Sequence, residues 1–201
     1  MIFSVLVSAI LFTGSVAYSA ENQTQPPQMT PEMQAMMAKW KEASTPAEGH
    51  KVLEPLIGTW DATTKWWKDA NGQPEESKGT SNAEWILGGR FIQQKYSGTS
   101  MGQPFDGIGV TGYDNLAKKY QTSWIDNMGT GMMTGSGTYD AASKSITDAG
   151  SFSCPMTGGE RTYRSVLKFI DDKSYSYEMY MNDPKTGQEF RGMEIIYTKK
   201  S

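Results

Sequence analysis

Few residues of this 201-residue chain have the type and spacing that chemistry needs. The most suggestive segment is WIDNMGTGMMTGSGTYD, from Trp124 to Asp140, which resembles a glycine-rich phosphate loop. A dinucleotide-binding loop needs glycines at its first, third and sixth positions, but after Gly129 and Gly131 the sixth position is Thr134. No Lys-Ser or Lys-Thr pair follows, and this excludes a Walker loop. The segment therefore predicts no nucleotide site.

Metal-assisted and nucleophilic chemistry are also poorly supported. The chain has one histidine, His50, and one cysteine, Cys154, and neither belongs to a Cys-x-x-Cys, His-x-His or calcium-loop pattern. We expect His50 to be a partly buried helix residue and Cys154 a small residue near a turn. A single cysteine cannot form an internal disulfide. We expect no metal and no cofactor.

Two carboxylates near the C-terminus are better candidates. Glu178 and Glu194 could act as general acid or base if an apolar barrel desolvated them and raised their pKa values. Symmetric turns in the last hairpins would place Glu178 opposite Leu167 and Arg191, with Arg191 as its ion-pair partner. The same face would then carry apolar side chains, namely Phe169, Met193, Ile195 and Tyr197.

The composition indicates what must position these groups. Twenty-one glycines, ten tyrosines, six tryptophans and seven phenylalanines are typical of short strands joined by tight turns, so the fold class expected is all-β. Nineteen basic and 22 acidic side chains give a net charge of −3, and there is no basic run. We therefore expect no nucleic-acid partner.

The N-terminal region is expected to direct export. Residues 1–20 contain no charged side chain, are mostly apolar and end in small residues. They predict a signal peptide and a periplasmic or secreted protein with no stable membrane anchor after cleavage. A retained anchor is the alternative. We predict a polar linker and amphipathic helix over residues 21–45, followed by one domain over residues 46–201.

Two short helices are predicted before the strands. Thr30, Pro31 and Glu32 form an N-terminal helix signal for a helix over 31–43. A capping box at Thr45 to Glu48 begins a second helix, which Pro55 ends. The first helix carries an apolar stripe that packs against its own domain or serves as a docking face: Met33, Met36, Met37 and Trp40.

From Gly58 the hydrophobic period changes to two. Gly88 and Gly89 suit a hairpin turn, which places Trp85 opposite Ile92. About ten such strands follow one another too closely for crossover helices, so each must pair antiparallel with its neighbours. A sheet of this length curls and closes, and we predict a single antiparallel up-and-down β-barrel.

Several motifs together resemble a known family. The segments LIGTW, LGGRFI, GIGVTGYDN, TSWIDNMGTGMM, GTYD, CPMTG, YEMY and MEIIYTKK occur in this order. Over about Gly49 to Lys199 the chain is similar to the bacterial domain of unknown function 1579, although Cys154 stands where a polar residue usually precedes the Pro-Met-Thr-Gly turn. The resemblance implies a lipocalin-like or calycin barrel, often exported, without an established activity. Gly58-Thr59-Trp60 resembles the lipocalin signature, in which an arginine from a late strand packs on the tryptophan. Arg191 could take that part here, with Arg90, Arg161 and Arg164 as alternatives.

These patterns favour a barrel that binds a small, mostly apolar or amphipathic molecule in its interior. One face of the strand within Trp124 to Asp140 is nearly bare of side chains, which indicates the wall of a cavity. The alternatives are an isomerase or cyclase that uses a buried carboxylate, and an envelope interaction protein that docks through its Met-rich helix. The oligomeric state stays open. The expected ligand-binding residues are Trp60, Trp85, Tyr96, Trp124, Met133, Glu178 and Arg191.

Overall fold

The computed structural model describes residues 29–155 and 157–200. The expected signal peptide, residues 1–20, lies outside these ranges. The chain forms two units, residues 1–39 and 40–201. Within the described ranges, no helix has both the length and the apolar character needed to cross a membrane.

Helical structure precedes the strands. Helix α1 spans Pro31–Ser44 and begins where the Thr30 hydroxyl accepts a hydrogen bond from the Met33 amide, 3.2 Å. Helix α2 is a single turn, Glu48–Lys51, and a separate 3₁₀ turn spans Glu54–Leu56. The continuous second helix expected up to Pro55 is therefore not confirmed. Pro55 has no amide hydrogen with which to continue the α-helical pattern, and the 3₁₀ turn that contains it carries the buried Leu56.

Ten strands form the rest of the chain, and the all-β prediction is confirmed. Every strand pairs antiparallel with its sequence neighbours, and β1 also pairs with β10, so the barrel is closed. The strands are β1 Gly58–Trp66, β2 Glu75–Ile86, β3 Phe91–Ser100, β4 Gln103–Asp114, β5 Lys119–Asp126, β6 Met133–Asp140, β7 Ser145–Cys154, β8 Gly159–Asp171, β9 Ser174–Asn182 and β10 Glu189–Lys199.

Alternation along each strand separates the barrel interior from its outer face. Trp60 lies opposite Ser81, and Ser81 lies opposite Tyr96, all three buried, so this row points inward. The predicted hairpin register is confirmed, because Trp85 lies opposite Ile92. The interior positions of the other strands follow from the same register.

One end of the barrel is closed by packed side chains. Leu53 and Leu56 from the helical segment are buried together with Trp60, whose indole N–H donates to the Leu56 carbonyl, 2.9 Å. Tyr175 and Tyr197 stack beside them with ring centroids 4.3 Å apart. We call this the plugged end.

The opposite end is lined by thioethers and rings. Its buried residues are Tyr163, Met179, Met181 and Phe190, and half-buried side chains pack against them. We call this the methionine-rich end. Flexible, polarisable methionines fill irregular space between rings better than branched side chains do. The half-buried members are Trp66, Trp67, Met133, Phe152, Tyr177 and Met193.

Two β-bulges correct the register expected for the last hairpins. Between Phe169 and Asp171 the pairing shifts by one residue, so Glu178 lies opposite Val166, not Leu167. On the β10 side the turn already shifts the pairing by two residues, since Arg191 lies opposite Tyr180, and a bulge after Arg191 adds one more, so Glu178 lies opposite Glu194. A one-residue shift moves every following side chain to the other face of a sheet. The expected placement of Glu178 among the inward apolar residues is therefore wrong.

Candidate functional site

Asp148 is a deeply buried carboxylate inside the barrel. It lies in the middle of β7, opposite Gly137 and Ser165, and only 5% of its surface is exposed. The neighbouring inward residues of β7 are Ile146 and Gly150. A charge in such surroundings needs partners that replace water.

The partners of Asp148 are hydroxyl groups. Ser165 donates a short hydrogen bond to one carboxylate oxygen, and Thr122 donates to the other, 3.0 Å. A carboxylate can accept about four hydrogen bonds, so acceptor capacity remains. Among the described residues, no lysine, arginine or histidine forms an ion pair with Asp148.

Two tyrosines complete the group. Burial and the nearby charge of Asp148 raise the pKa of Tyr163 to about 12, against the effect of a hydrogen bond with Thr122. Burial, again with the charge of Asp148, raises the pKa of Tyr177, which hydrogen-bonds Ser165. Both phenols therefore keep their protons at neutral pH. These five residues, Thr122, Asp148, Tyr163, Ser165 and Tyr177, are named the Asp148 cluster.

Glycines in β6 make room for the Asp148 cluster. A Cβ atom on Gly135 would collide with the Tyr163 hydroxyl and crowd Thr122 and Asp148. The inward face of β6 is bare of large side chains at this level, as the sequence predicts. The polar groups of β5, β7 and β8 occupy the space that it leaves. The glycines thus create a polar site within an otherwise apolar wall.

Polar residues face the barrel interior next to the Asp148 cluster. Thr64, Gln94, Thr122 and Tyr177 point inward from four different strands, and each residue is only half-buried. Two of the four, Thr122 and Tyr177, belong to the Asp148 cluster.

Five of the residues expected to bind a ligand point inward, but they do not form one cluster. Trp60 is part of the plugged end, and the Trp85 indole donates to Glu54 beside it, 2.8 Å. Tyr96, Trp124 and Met133 lie further along the barrel. Trp124 stacks with Phe105 and donates to Asp126, 2.9 Å, while Tyr96 packs edge-on against Phe105. Trp124 lies opposite Met133.

The other two expected residues, Glu178 and Arg191, lie on the outer face. The predicted ion pair is present, with Arg191 2.9 Å from Glu178 and 2.8 Å from Glu194. Arg191 also packs over the Trp67 ring, 4.7 Å from its centroid. Its expected position on Trp60 is wrong, because Lys199 lies there instead, 5.5 Å from the ring.

His50 and Cys154 are both buried. The imidazole of His50 accepts a hydrogen bond from the Ala47 amide, 3.0 Å, and burial lowers its pKa. Within residues 29–155 and 157–200, no group of three or more potential ligands could hold a metal ion.

The outer face carries a groove of about 570 Å³ across β1 to β5. Register places one residue from each strand side by side along it: Thr59, Asn82, Lys95, Ile108 and Ile125. The groove is open and its surface is mostly apolar, with polar side chains such as Asn82 and Lys95 between the apolar ones.

One protein-family model matches most of the chain. Residues 45–199 match the model of a family described as protein of unknown function, DUF1579. The chain belongs to the DUF1579 family. No curated protein matches the chain.

One solved structure shares the fold of this DUF1579 protein. The crystal structure of Rv2717c from M. tuberculosis superposes with a TM-score of 0.58 at 16% sequence identity, covering 78% of this chain and 100% of that one. A redesigned β-barrel gives a TM-score of 0.40 at 14% identity, covering 75% and 96% of the two chains. The likeness to Rv2717c extends to the fold alone.

The sequence analysis missed Asp148, although a signal for it exists. In the DUF1579 barrel, alternate residues of β7 point inward, and they are Ile146, Asp148, Gly150 and Phe152. A single acidic residue in an alternating apolar and glycine series marks a carboxylate on the buried face. The two bulges that move Glu178 outward have no comparable signal.

Proposed function

We propose that this protein binds a small, mostly apolar ligand inside its barrel and anchors the ligand's polar end at Asp148. The observation that carries the proposal is a buried carboxylate with unused acceptor capacity, which faces the barrel interior beside polar residues that are only half-buried. We propose further that the barrel is lipocalin-like and acts outside the cytoplasm, on the basis of the Gly-x-Trp motif and the uncharged apolar residues 1–20.

The remaining interior surface suits an apolar body. The methionine-rich end presents thioethers and rings, and Trp124 adds a further ring near its strand end. Binding sites for small molecules typically combine such apolar walls with a few fixed polar groups. The Asp148 cluster supplies those polar groups.

Two adjacent threonines offer a matched test. Thr64 points into the interior and Thr63 points outward, and both are half-buried. Thr64→Trp fills interior space, whereas Thr63→Trp adds the same ring outside. Titration with N-phenyl-1-naphthylamine, a neutral fluorescent probe, should give saturable binding to the unmodified protein and to Thr63→Trp. We expect Thr64→Trp to bind at least about tenfold more weakly, a change of about 1.4 kcal/mol.

Near-ultraviolet circular dichroism shows whether both variants are folded. Equal affinities for the two folded variants would contradict an interior site. Absence of saturable binding by the unmodified protein would contradict it as well.

A proton-transfer enzyme is the second candidate. It rests on Asp148 lying next to two protonated phenols, since a carboxylate can abstract a proton while a phenol stabilises the developing oxyanion. Glu178 and Glu194, on the outer face, do not serve this role. A molecule co-purified with the protein and returned to it in deuterium oxide should exchange a carbon-bound hydrogen faster with the unmodified protein than with Asp148→Asn. Equal exchange rates would contradict catalysis.

A docking role for α1 is the third candidate. Met33, Met36 and Met37 are 47%, 59% and 51% exposed, and no residue of α1 is buried. Replacing the three with glutamine should abolish crosslinking to an envelope partner if the stripe is a docking face. Unchanged crosslinking would remove this candidate.

A further inference from the structure

We infer that the Asp148 cluster selects ligands that carry a protonated amine on an apolar body. This inference rests on the proposed interior binding site and adds the chemical class of the ligand's polar end. It follows from the charges, the hydrogen-bond donors and the rings around Asp148.

The inward-facing charge in the middle of the barrel is negative. Asp148 is the acidic group there, and Asp126, near the end of β5, also faces inward and accepts the Trp124 indole hydrogen bond. Arg161 faces inward only near the methionine-rich end, where it donates to the Asn182 carbonyl, 2.6 Å. Within the described chain, Asp148 has no cationic partner, so a cationic ligand group would complete the site.

The hydroxyl groups already present do not replace a cation. Ser165 and Thr122 donate one hydrogen bond each to the carboxylate, which leaves about two acceptor positions for a ligand. An ammonium group donates hydrogen bonds and accepts none, and hydrogen bonds between charged groups are about twice as strong as neutral ones. A primary amine therefore matches the unused capacity of Asp148.

The rings next to Asp148 also favour a cation. Tyr163 and Tyr177 lie on either side of Ser165 in the sheet, on β8 and β9, and both hydroxyls belong to the Asp148 cluster. Aromatic faces attract ammonium groups most strongly where water is excluded. Because both phenols stay protonated, they add no negative charge that would need a second cation.

Other ligand types fit the site less well. A carboxylate ligand would meet the charge of Asp148 without a cation between them, which is unfavourable inside a barrel. A neutral alcohol can donate one hydrogen bond but gains no charge pairing. We therefore expect affinity to follow the order amine, alcohol, carboxylate.

Three probes of equal chain length test this order. Decylamine, 1-decanol and decanoate are titrated against the full chain loaded with N-phenyl-1-naphthylamine at neutral pH. Decylamine should displace the dye with an affinity at least about tenfold higher than that of 1-decanol, and decanoate should bind most weakly. Equal or tighter binding of 1-decanol or decanoate would overturn the inference while leaving an interior binding site intact. Failure of all three to displace the bound dye would overturn the inference too, and failure of the dye itself to bind would contradict the proposed function.

A matched pair of carboxylate variants assigns the preference to Asp148. Asp148→Asn removes the interior charge, whereas Asp106→Asn removes the same charge from an exposed position on the outer face of β4. Asp148→Asn should reduce the preference for decylamine over 1-decanol at least about tenfold and keep the affinity for 1-decanol. Asp106→Asn should behave as the unmodified protein. A preference that survives Asp148→Asn, or is lost equally in both variants, would overturn the inference.

A second variant is used if Asp148→Asn does not fold. Ser165→Ala removes one hydrogen-bond donor and keeps the charge of Asp148, so it should retain the preference for decylamine. Loss of the preference in Ser165→Ala would count against charge pairing.

Discussion

At the scale of single residues, a small side chain in one strand makes room for a large one in the next. Trp124 lies across Gly107 and Gly109 of β4, and the Tyr163 hydroxyl lies over Gly135 and Gly150. A methyl group at Gly135 has no space, because the Asp148 cluster occupies it. The interior glycines therefore shape the site, because they leave space for the side chains of neighbouring strands.

Gly135→Ala should lower the free energy of unfolding by about 1–3 kcal/mol, since the new Cβ atom overpacks the Asp148 cluster. Gly159→Ala is the control, because its Cβ atom meets no other group within 4 Å and its φ is not positive. The control should change stability by less than about 0.5 kcal/mol. Urea unfolding followed by circular dichroism measures both. A Gly135→Ala variant as stable as the control would show that the cluster relaxes without cost.

The sequence predicts some of the inward-facing residues but not all of them. Alternation in β1, β3, β5 and β6 is regular, so Trp60, Tyr96, Trp124 and Met133 were assigned to the inner face correctly. Asp148 is not among the expected residues, because its hydroxyl partners, Thr122 and Ser165, come from two other strands that the sequence does not place around it.

At the scale of elements, β-bulges determine which face of a strand a side chain occupies, and the helical segment before β1 determines how one end of the barrel is closed. The bulge between Phe169 and Asp171 turns Glu178 outward, and nothing in the turn residues of that hairpin indicates the extra residue. Leu53 and Leu56 help to close the plugged end. The sequence places them in or beside a short helix but does not indicate which part of the barrel they pack against. The elements were predicted well, but the register of the last two hairpins was not, because bulges and the turn before β10 shift it.

Leu53→Ala should lower the free energy of unfolding by about 2–5 kcal/mol, because Leu53 has no exposed surface and its loss leaves a cavity beside Trp60. Leu116→Ala is the matched control, since Leu116 is 77% exposed, and should cost less than about 0.5 kcal/mol. Thermal or urea unfolding distinguishes the two. Equal effects would mean that the plug contributes little to the stability of the barrel.

At the scale of the whole molecule, the interior is rich in buried phenols. Burial is the main reason why the pKa values of five inward-facing tyrosines are raised, and the pKa reaches about 12 for Tyr120 and Tyr163. The five are Tyr120, Tyr163, Tyr175, Tyr177 and Tyr197. In an unfolded chain a tyrosine has a pKa of about 10. The folded barrel therefore holds these protons at pH values where the unfolded chain has lost them.

The barrel should be progressively destabilised above about pH 10. Below that pH both states hold the phenol protons and the full stability is present; between about pH 10 and about pH 12 only the unfolded state ionises, so the free energy of unfolding falls. Each tyrosine contributes on the order of 1–2 kcal/mol to this loss. Urea unfolding from about pH 8 to about pH 12 measures the slope, and absorbance at 295 nm reports phenolate formation. Complete phenolate formation in the folded protein at about pH 10 would contradict the prediction.

The antiparallel barrel as a whole was predictable because ten closely spaced strands allow little else. The seam between β1 and β10 has a consequence for synthesis of the chain. Trp60 pairs with Lys199 and Trp66 with Met193, so the first strand finds its second partner only in the last strand to be made. Until β10 has been synthesised, β1 and β9 each expose a row of unpaired amide and carbonyl groups that can template pairing with another chain. A nascent or C-terminally truncated chain is therefore the form of this protein most prone to aggregation.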